Sequence, residues 1–113
     1  RMAIYSGDDV TAMELMLLGG KGDISVTANV APKLCAEFQQ ACVDNDFALA
    51  RKINDRLYPL HYAMFEDSSP APVKYALSRT QSWMTDEVRL PLVACSDHAR
   101  RAVDEALEHA GLV

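Results

Sequence analysis

Apolar positions along this chain change their spacing more than once. Met2 to Tyr5 is a short apolar run closed by Ser6-Gly7-Asp8-Asp9, which predicts a strand ending in a turn. From Val10 the apolar residues Met13, Leu15, Met16, Leu17 and Leu18 are too dense for alternation and predict a largely buried helix. Gly19-Gly20 ends it, because glycine enters the left-handed cap conformation without steric cost. "GDISVTANV" then predicts a second, β-branched strand over roughly Gly22 to Thr27, with alternation placing Ile24 and Val26 on one face. Asn29 leads into a helix that carries Pro32 in its first turn. The order β-α-β-α with short links predicts parallel strands joined by right-handed crossovers.

The remainder reads as helices. Leu34, Phe38, Ala41 and Cys42 form one apolar stripe; Asp46 caps the next helix, where Phe47, Ala50, Ile53, Leu57, Leu60 and Met64 recur at helical spacing. Pro59 is expected to kink that helix or end it early, since it removes a backbone donor and clashes with the preceding turn. "EDSSPAP" predicts a loop, and Val73 to Arg79 another helix. "TDEVRLPLVAC" reads as irregular around Pro91, and Ser96 caps a final helix running through Ala110 with Gly111 just past its end. Two β-α units are thus followed by a helical appendix. Two parallel strands alone leave unpaired edges and too little sheet to cover, so the chain is expected to be the end of a longer one and to self-associate in isolation.

Composition narrows the partners. At 113 residues, 50% hydrophobic and 24% charged, the chain holds at most one ordinary globular domain. A net charge of -5 argues against a nucleic-acid binder, leaving small molecules or proteins. No apolar run approaches the ~20 residues that span a bilayer, and the N-terminus lacks the order of a signal peptide, so a cytoplasmic setting without membrane contact is expected. Cys35 and Cys42 share a helix face about 10 Å apart, too far for a disulfide, and read as buried thiols. Cys95 precedes a helix start; it is either an inert, partly buried thiol or one whose pKa is lowered there.

Candidate chemistry is sparse. Asp8-Asp9 either caps the first helix or joins Ser6-Gly7 in a ligand rim, since parallel sheets place their sites at the carboxyl ends of strands. Gly19-Gly20 follows a helix and so is no phosphate loop. His61, His98 and His109 lack metal-ligand spacing and read as surface or half-buried residues. Met13, Met16 and Met64 read as core filling, and Trp83 with Met84 as packing a loop down. Arg100-Arg101 with Asp104, Glu105 and Glu108 reads as a solvated helical face with i,i+4 pairs. None of these forms a catalytic constellation or a metal site.

Three stretches carry a resemblance. "YSGDDVTAMELMLLGGKGDISVTANVAP", "LYPLHYAMFEDSSPAPVKYAL" and "RLPLVACSD" resemble, in order and spacing, the C-terminal part of the dihydrodipicolinate synthase family, from about Met2 to the last residue. The resemblance implies an α/β fold: a (β/α)8 TIM barrel of ~250 residues with a C-terminal helical domain. On that basis residues 1–45 hold the last two β-α units of the barrel and residues 46–113 the helical appendix.

It also implies a lyase of lysine (diaminopimelate) biosynthesis. In this family a lysine forms a Schiff base with pyruvate, and the resulting enamine attacks aspartate semialdehyde, with no separate cofactor. Lys21, Lys33, Lys52 and Lys74 all fall on predicted helices or a helix-strand link, so the nucleophile is expected to lie outside this chain, which alone is expected to be inactive. Among matching positions, Ile24 corresponds to an isoleucine lining the pyruvate pocket, and Gly7 and Asp8 to the rim near the aldehyde. Glu14, Leu17 and Leu18 correspond to the contact between two dimers of a homotetramer. Departures occur at Ser69-Pro70, where the family commonly has Asn-Pro, and at Ala94, often proline; both put loop geometry in question. Related sialic acid lyase-like and keto-deoxy-sugar aldolases share the barrel and the Schiff base, and a non-catalytic helical interaction domain is the remaining alternative.

Overall fold

A computed structural model describes residues 2–113. Strand β1 is Tyr5–Ser6 and strand β2 Gly22–Asp23, paired in parallel with Tyr5 opposite Gly22 and Ser6 opposite Asp23. The pairing extends through Lys21 N donating to Ile4 O at 2.7 Å and Ile24 N donating to Ser6 O at 2.9 Å. Between the strands lie a 3-10 turn, Asp9–Thr11, and helix α1, Ala12–Leu17. Gly20 must approach the last turn of α1 closely, for a Cβ there would lie 2.6 Å from Leu15 Cγ. The predicted β-α-β order and parallel sense are therefore present, but both strands are shorter than the sequence pattern suggests. β2 stops because Val26 takes helical backbone angles (φ -79, ψ -44) and Thr27–Asn29 forms a 3-10 turn.

Helix α2 spans Pro32–Val43, with the proline in its first turn where no intrahelical donor is needed. Helix α3 spans Phe47–Ala63, and Asp46 caps it by accepting from Leu49 N at 3.0 Å. It does not end at Pro59. The carbonyl of Asp55, which the proline deprives of its usual donor, faces His109 Nε2 at 3.0 Å instead. Arg56 Nη2 likewise donates to Ala110 O at 2.6 Å, so α3 takes up free groups at the end of the last helix. Helix α4 spans Ala71–Thr80 and α5 Asp97–Ala110.

The apolar stripes of these helices form the core. Leu57, Leu60, Met64, Val103 and Leu107 are fully buried, and one continuous cluster joins them to Ala12, Met16 and Phe38. The core thus runs through residues on both sides of residue 45. Met16 and Met64 are buried and Met13 packs against the cluster, which is the expected filling role. Trp83 departs from expectation: it is 75% exposed. Its loop is held by polar ties instead, Lys74 Nζ to Glu87 O and Arg100 Nη2 to Asp86 Oδ2 at 3.0 Å.

Those ties also revise the α5 face. Arg100 pairs with Asp86 and lies over the Tyr75 ring, while Asp104 accepts from Tyr75 Oη and Arg79 Nε at 3.0 and 2.9 Å. Long-range partners outcompete the i,i+4 pairs here, because residues on α4 and the following loop reach the same charges. Ser96 caps α5 through Ala99 N at 3.2 Å, and Gly111 closes it at φ 73, in the left-handed region. Ser96→Ala is expected to cost about 1 kcal/mol, read as a shift in the urea unfolding midpoint.

Candidate functional site

Two adjacent carboxylates follow β1 and do different work. Asp8 takes extended backbone angles and its Oδ1 accepts from Val10 N at 3.1 Å, a helix-start cap exposed to solvent. Asp9 turns inward and is 6% exposed. Its Oδ1 accepts from Ser25 Oγ at 2.5 Å, and its Oδ2 accepts from Val26 N at 2.9 Å and Thr27 N at 3.2 Å. One side chain therefore binds the turn after β1 to the turn after β2. This is also why β2 ends early: a strand cannot point two successive amides at one carboxylate oxygen, and the helical angles at Val26 let it do so.

The tie places Ile24 at the mouth of the fold. Ile24 is 72% exposed and sits beside Ser6, to whose carbonyl oxygen its backbone N–H donates a hydrogen bond. Val26 is half-buried and packs against the core, so the two do not share a face as strand alternation predicts; the bend at Val26 ends the alternation. Gly7, Asp8 and Ile24 nevertheless gather at the carboxyl ends of β1 and β2. Gly7 is exposed, and among the described residues no atom other than its own and those of its chain neighbours lies within 4 Å of where its Cβ would be. Glu14 and Leu17 lie on α1 and Leu18 just past its end, all exposed, with Leu17 at 56% and Leu18 at 86%.

Behind the strands a cavity of about 260 Å³ opens between the β2 turn, α2 and α3. Its polar lining is Asp9, Asp23, Ser25, Cys35, Gln39 and His61. His61 is 3% exposed, with Nδ1 2.7 Å from Thr27 Oγ1; it belongs to the buried stripe of α3 and not to the surface. Burial lowers its pKa, partly offset by the charges of Asp9 and Asp8. Burial pushes Asp23 up to about 7, helped by the adjoining Asp9 carboxyl and by the negative charges of Asp9 and Asp8. For Asp9 burial acts upward as well, but the adjoining Asp23 carboxyl and the hydrogen bonds from Ser25 and Thr27 outweigh it and hold the carboxyl below its ordinary value.

All three cysteines are free and buried. Burial raises the Cys35 thiol to about 12 and raises Cys42 and Cys95 too, so Cys95 is not activated by its helix start. None of Lys21, Lys33, Lys52 and Lys74 is buried, and no group of three or more His, Cys, Asp or Glu side chains among the described residues is placed to hold a metal ion. Among the described residues, no helix is long and apolar enough to cross a membrane.

The sequence offered a signal for His61, at i+4 from Leu57 on the apolar stripe. It offered none for the inward turn of Asp9, whose partners lie 16 to 18 residues away.

An α/β chain with its candidate residues at the carboxyl ends of two parallel strands has the site placement of parallel-sheet enzymes. The Dihydrodipicolinate synthetase family matches residues 1–110, and the chain belongs to that family. It is 64% identical over 108 residues to the 4-hydroxy-tetrahydrodipicolinate synthase of Erythrobacter litoralis, covering 96% of this chain and 37% of that protein. The synthase of Novosphingobium aromaticivorans is 61% identical over 108 residues, covering 96% of this chain and 36% of that one. Among solved structures, the chloride-inhibited dihydrodipicolinate synthase from Acinetobacter baumannii, complexed with pyruvate, superposes with a TM-score of 0.91 at 43% identity. That match covers 99% of this chain and 38% of the other. The chain therefore spans little more than a third of the length of the relatives it matches.

Proposed function

We propose that this chain supplies the C-terminal portion of a Schiff-base-forming lyase that condenses pyruvate with aspartate semialdehyde in the cytoplasm, on the route to lysine. The observation that carries the reading is the superposition over 99% of the chain on a synthase complexed with pyruvate. Residues 1–45 would then form the last two β-α units of a TIM barrel and residues 46–113 its helical appendix. In that setting Ile24 lines the pyruvate pocket, Gly7 and Asp8 form the rim, and Glu14, Leu17 and Leu18 contact another copy in a homotetramer. The exposure of Ile24, Leu17 and Leu18 supports these roles by leaving the three side chains free to meet a ligand or another copy.

The chemistry uses no separate cofactor. A lysine amine adds to the pyruvate ketone and water leaves; a methyl proton is then lost, and the enamine carbon attacks the aldehyde. That lysine must be neutral at working pH, which requires a desolvated site, and the four lysines here are not buried. The reading therefore places the nucleophile outside these residues. The test is borohydride reduction in the presence of pyruvate followed by intact mass measurement. The 12.4 kDa chain is expected to show no adduct, and the same chain extended to the full length of its relatives to gain one. A pyruvate adduct on Lys21, Lys33, Lys52 or Lys74 would overturn the placement of the nucleophile.

A further inference from the structure

Asp23 Oδ1 is a buried oxygen that finds no hydrogen-bond donor among the described residues. Its neighbour Asp9 already accepts from Ser25 Oγ, Val26 N and Thr27 N, an arrangement that favours the ionised form. A buried oxygen without a donor is costly, and two carboxylates side by side repel. Both problems have one solution: Asp23 keeps its proton and donates it to Asp9. We propose that Asp9 and Asp23 share a single proton, carried by Asp23, and that this pair is the latch that positions the turn following Ile24.

The surroundings are consistent from every side. Asp8 and Asp9 act on Asp23 from the turn after β1, and Cys35 from α2 and His61 from α3 line the same cavity. Cys35 carries no charge near neutrality, and burial opposes a charge on His61, so neither of these groups lining the cavity supplies a cation to keep both carboxylates ionised. Loss of the Asp23 proton sets two negative charges against each other beside the amides of Val26 and Thr27, and the turn loosens. The sign follows: the folded chain holds this proton up to about pH 7, against 3.8 for an ordinary aspartate. The stability it contributes is complete below about 4 and is lost as pH rises through 7. Asp9 acts oppositely, and its share is lost only as pH falls below its ordinary value of 3.8. If the proposed function holds, Asp9 is a positioning residue for the pyruvate pocket, a consequence that rests on that reading; the latch itself does not.

The experiment is a carbon-13 NMR titration of the aspartate carboxyls of this chain from pH 4 to 8.5, with Asp23 assigned by its absence in Asp23→Asn. One carboxyl is expected to titrate near pH 7, with the Val26 and Thr27 amides shifting at the same midpoint. In Asp9→Asn that midpoint is expected to fall by at least one unit, a tenfold loss of proton affinity. Should Asp9→Asn fail to fold, Asp23→Asn carries the test: it keeps a neutral donor at all pH values and is expected to abolish the loss of stability between pH 5 and 8. A titration of Asp23 below pH 5.5, silent amides, or a pH-dependent stability unchanged in Asp23→Asn would each overturn the latch. None of these readouts depends on catalysis, so a failed pyruvate adduct in the full-length protein would leave the latch standing.

Discussion

Asp9→Ala is expected to destabilise the chain by about 3 kcal/mol, whereas Asp8→Ala is expected to cost only about 1 kcal/mol. The two residues are adjacent and chemically identical, so the difference isolates position. Asp8 makes an exposed helix-start cap, and water replaces it easily. Removing Asp9 strips acceptors from Ser25 Oγ, Val26 N and Thr27 N at once, and Thr27 is fully buried. An unsatisfied buried donor costs about 1–3 kcal/mol, and the partly exposed Ser25 and Val26 sites recover some of their loss by admitting water, so the total falls short of three full penalties. Urea unfolding at pH 5 measures both variants. Equal midpoint shifts would mean that the Asp9 tie contributes no more than a surface cap.

The features legible in the sequence are those decided within a few residues. Pro32, Asp46, Ser96 and Gly111 mark helix ends by their own backbone preferences or by reaching an amide two or three residues away, and each stands where the pattern predicts. What escaped the sequence is decided by distant partners. Nothing local distinguishes Asp8 from Asp9; the choice is made by amides beyond the next strand. Arg100 looks like part of a solvated face until Asp86 and Tyr75 are brought to it from an irregular loop and a neighbouring helix. Pro59 reads as a kink or a stop because the sequence does not show that His109 waits beside the carbonyl it frees. The candidate site divides in the same way. Gly7 and Asp8 fall at a strand end by local pattern and Ile24 joins them through the family resemblance, while the pair behind them, Asp9 with Asp23, had neither signal.

Leu57→Ala is expected to lower stability by about 3–4 kcal/mol, within the range of about 2–5 found for large-to-small changes in cores. The cost lies above the lower end of that range because the site cannot collapse. Leu57 is fully buried, and its side chain forms part of the wall of the existing cavity, opposite Asp9 and Asp23. Truncation enlarges that space instead of leaving an isolated void that neighbours could fill. Leu49→Ala on the same helix, where the side chain is 45% exposed, is expected to cost less than about 1 kcal/mol and serves as the control for helix propensity. Thermal unfolding separates them, since a loss of this size in a domain of this length lowers the midpoint by about 10 °C or more. The enlarged cavity also has room for water beside a polar wall, which weakens the desolvation that holds the Asp23 proton. Leu57→Ala should therefore move the Asp23 titration downward as it destabilises the core, whereas Leu49→Ala should leave it in place. A Leu57→Ala variant that loses stability without moving that titration would show that the carboxyl pair is insulated from the packing of α3.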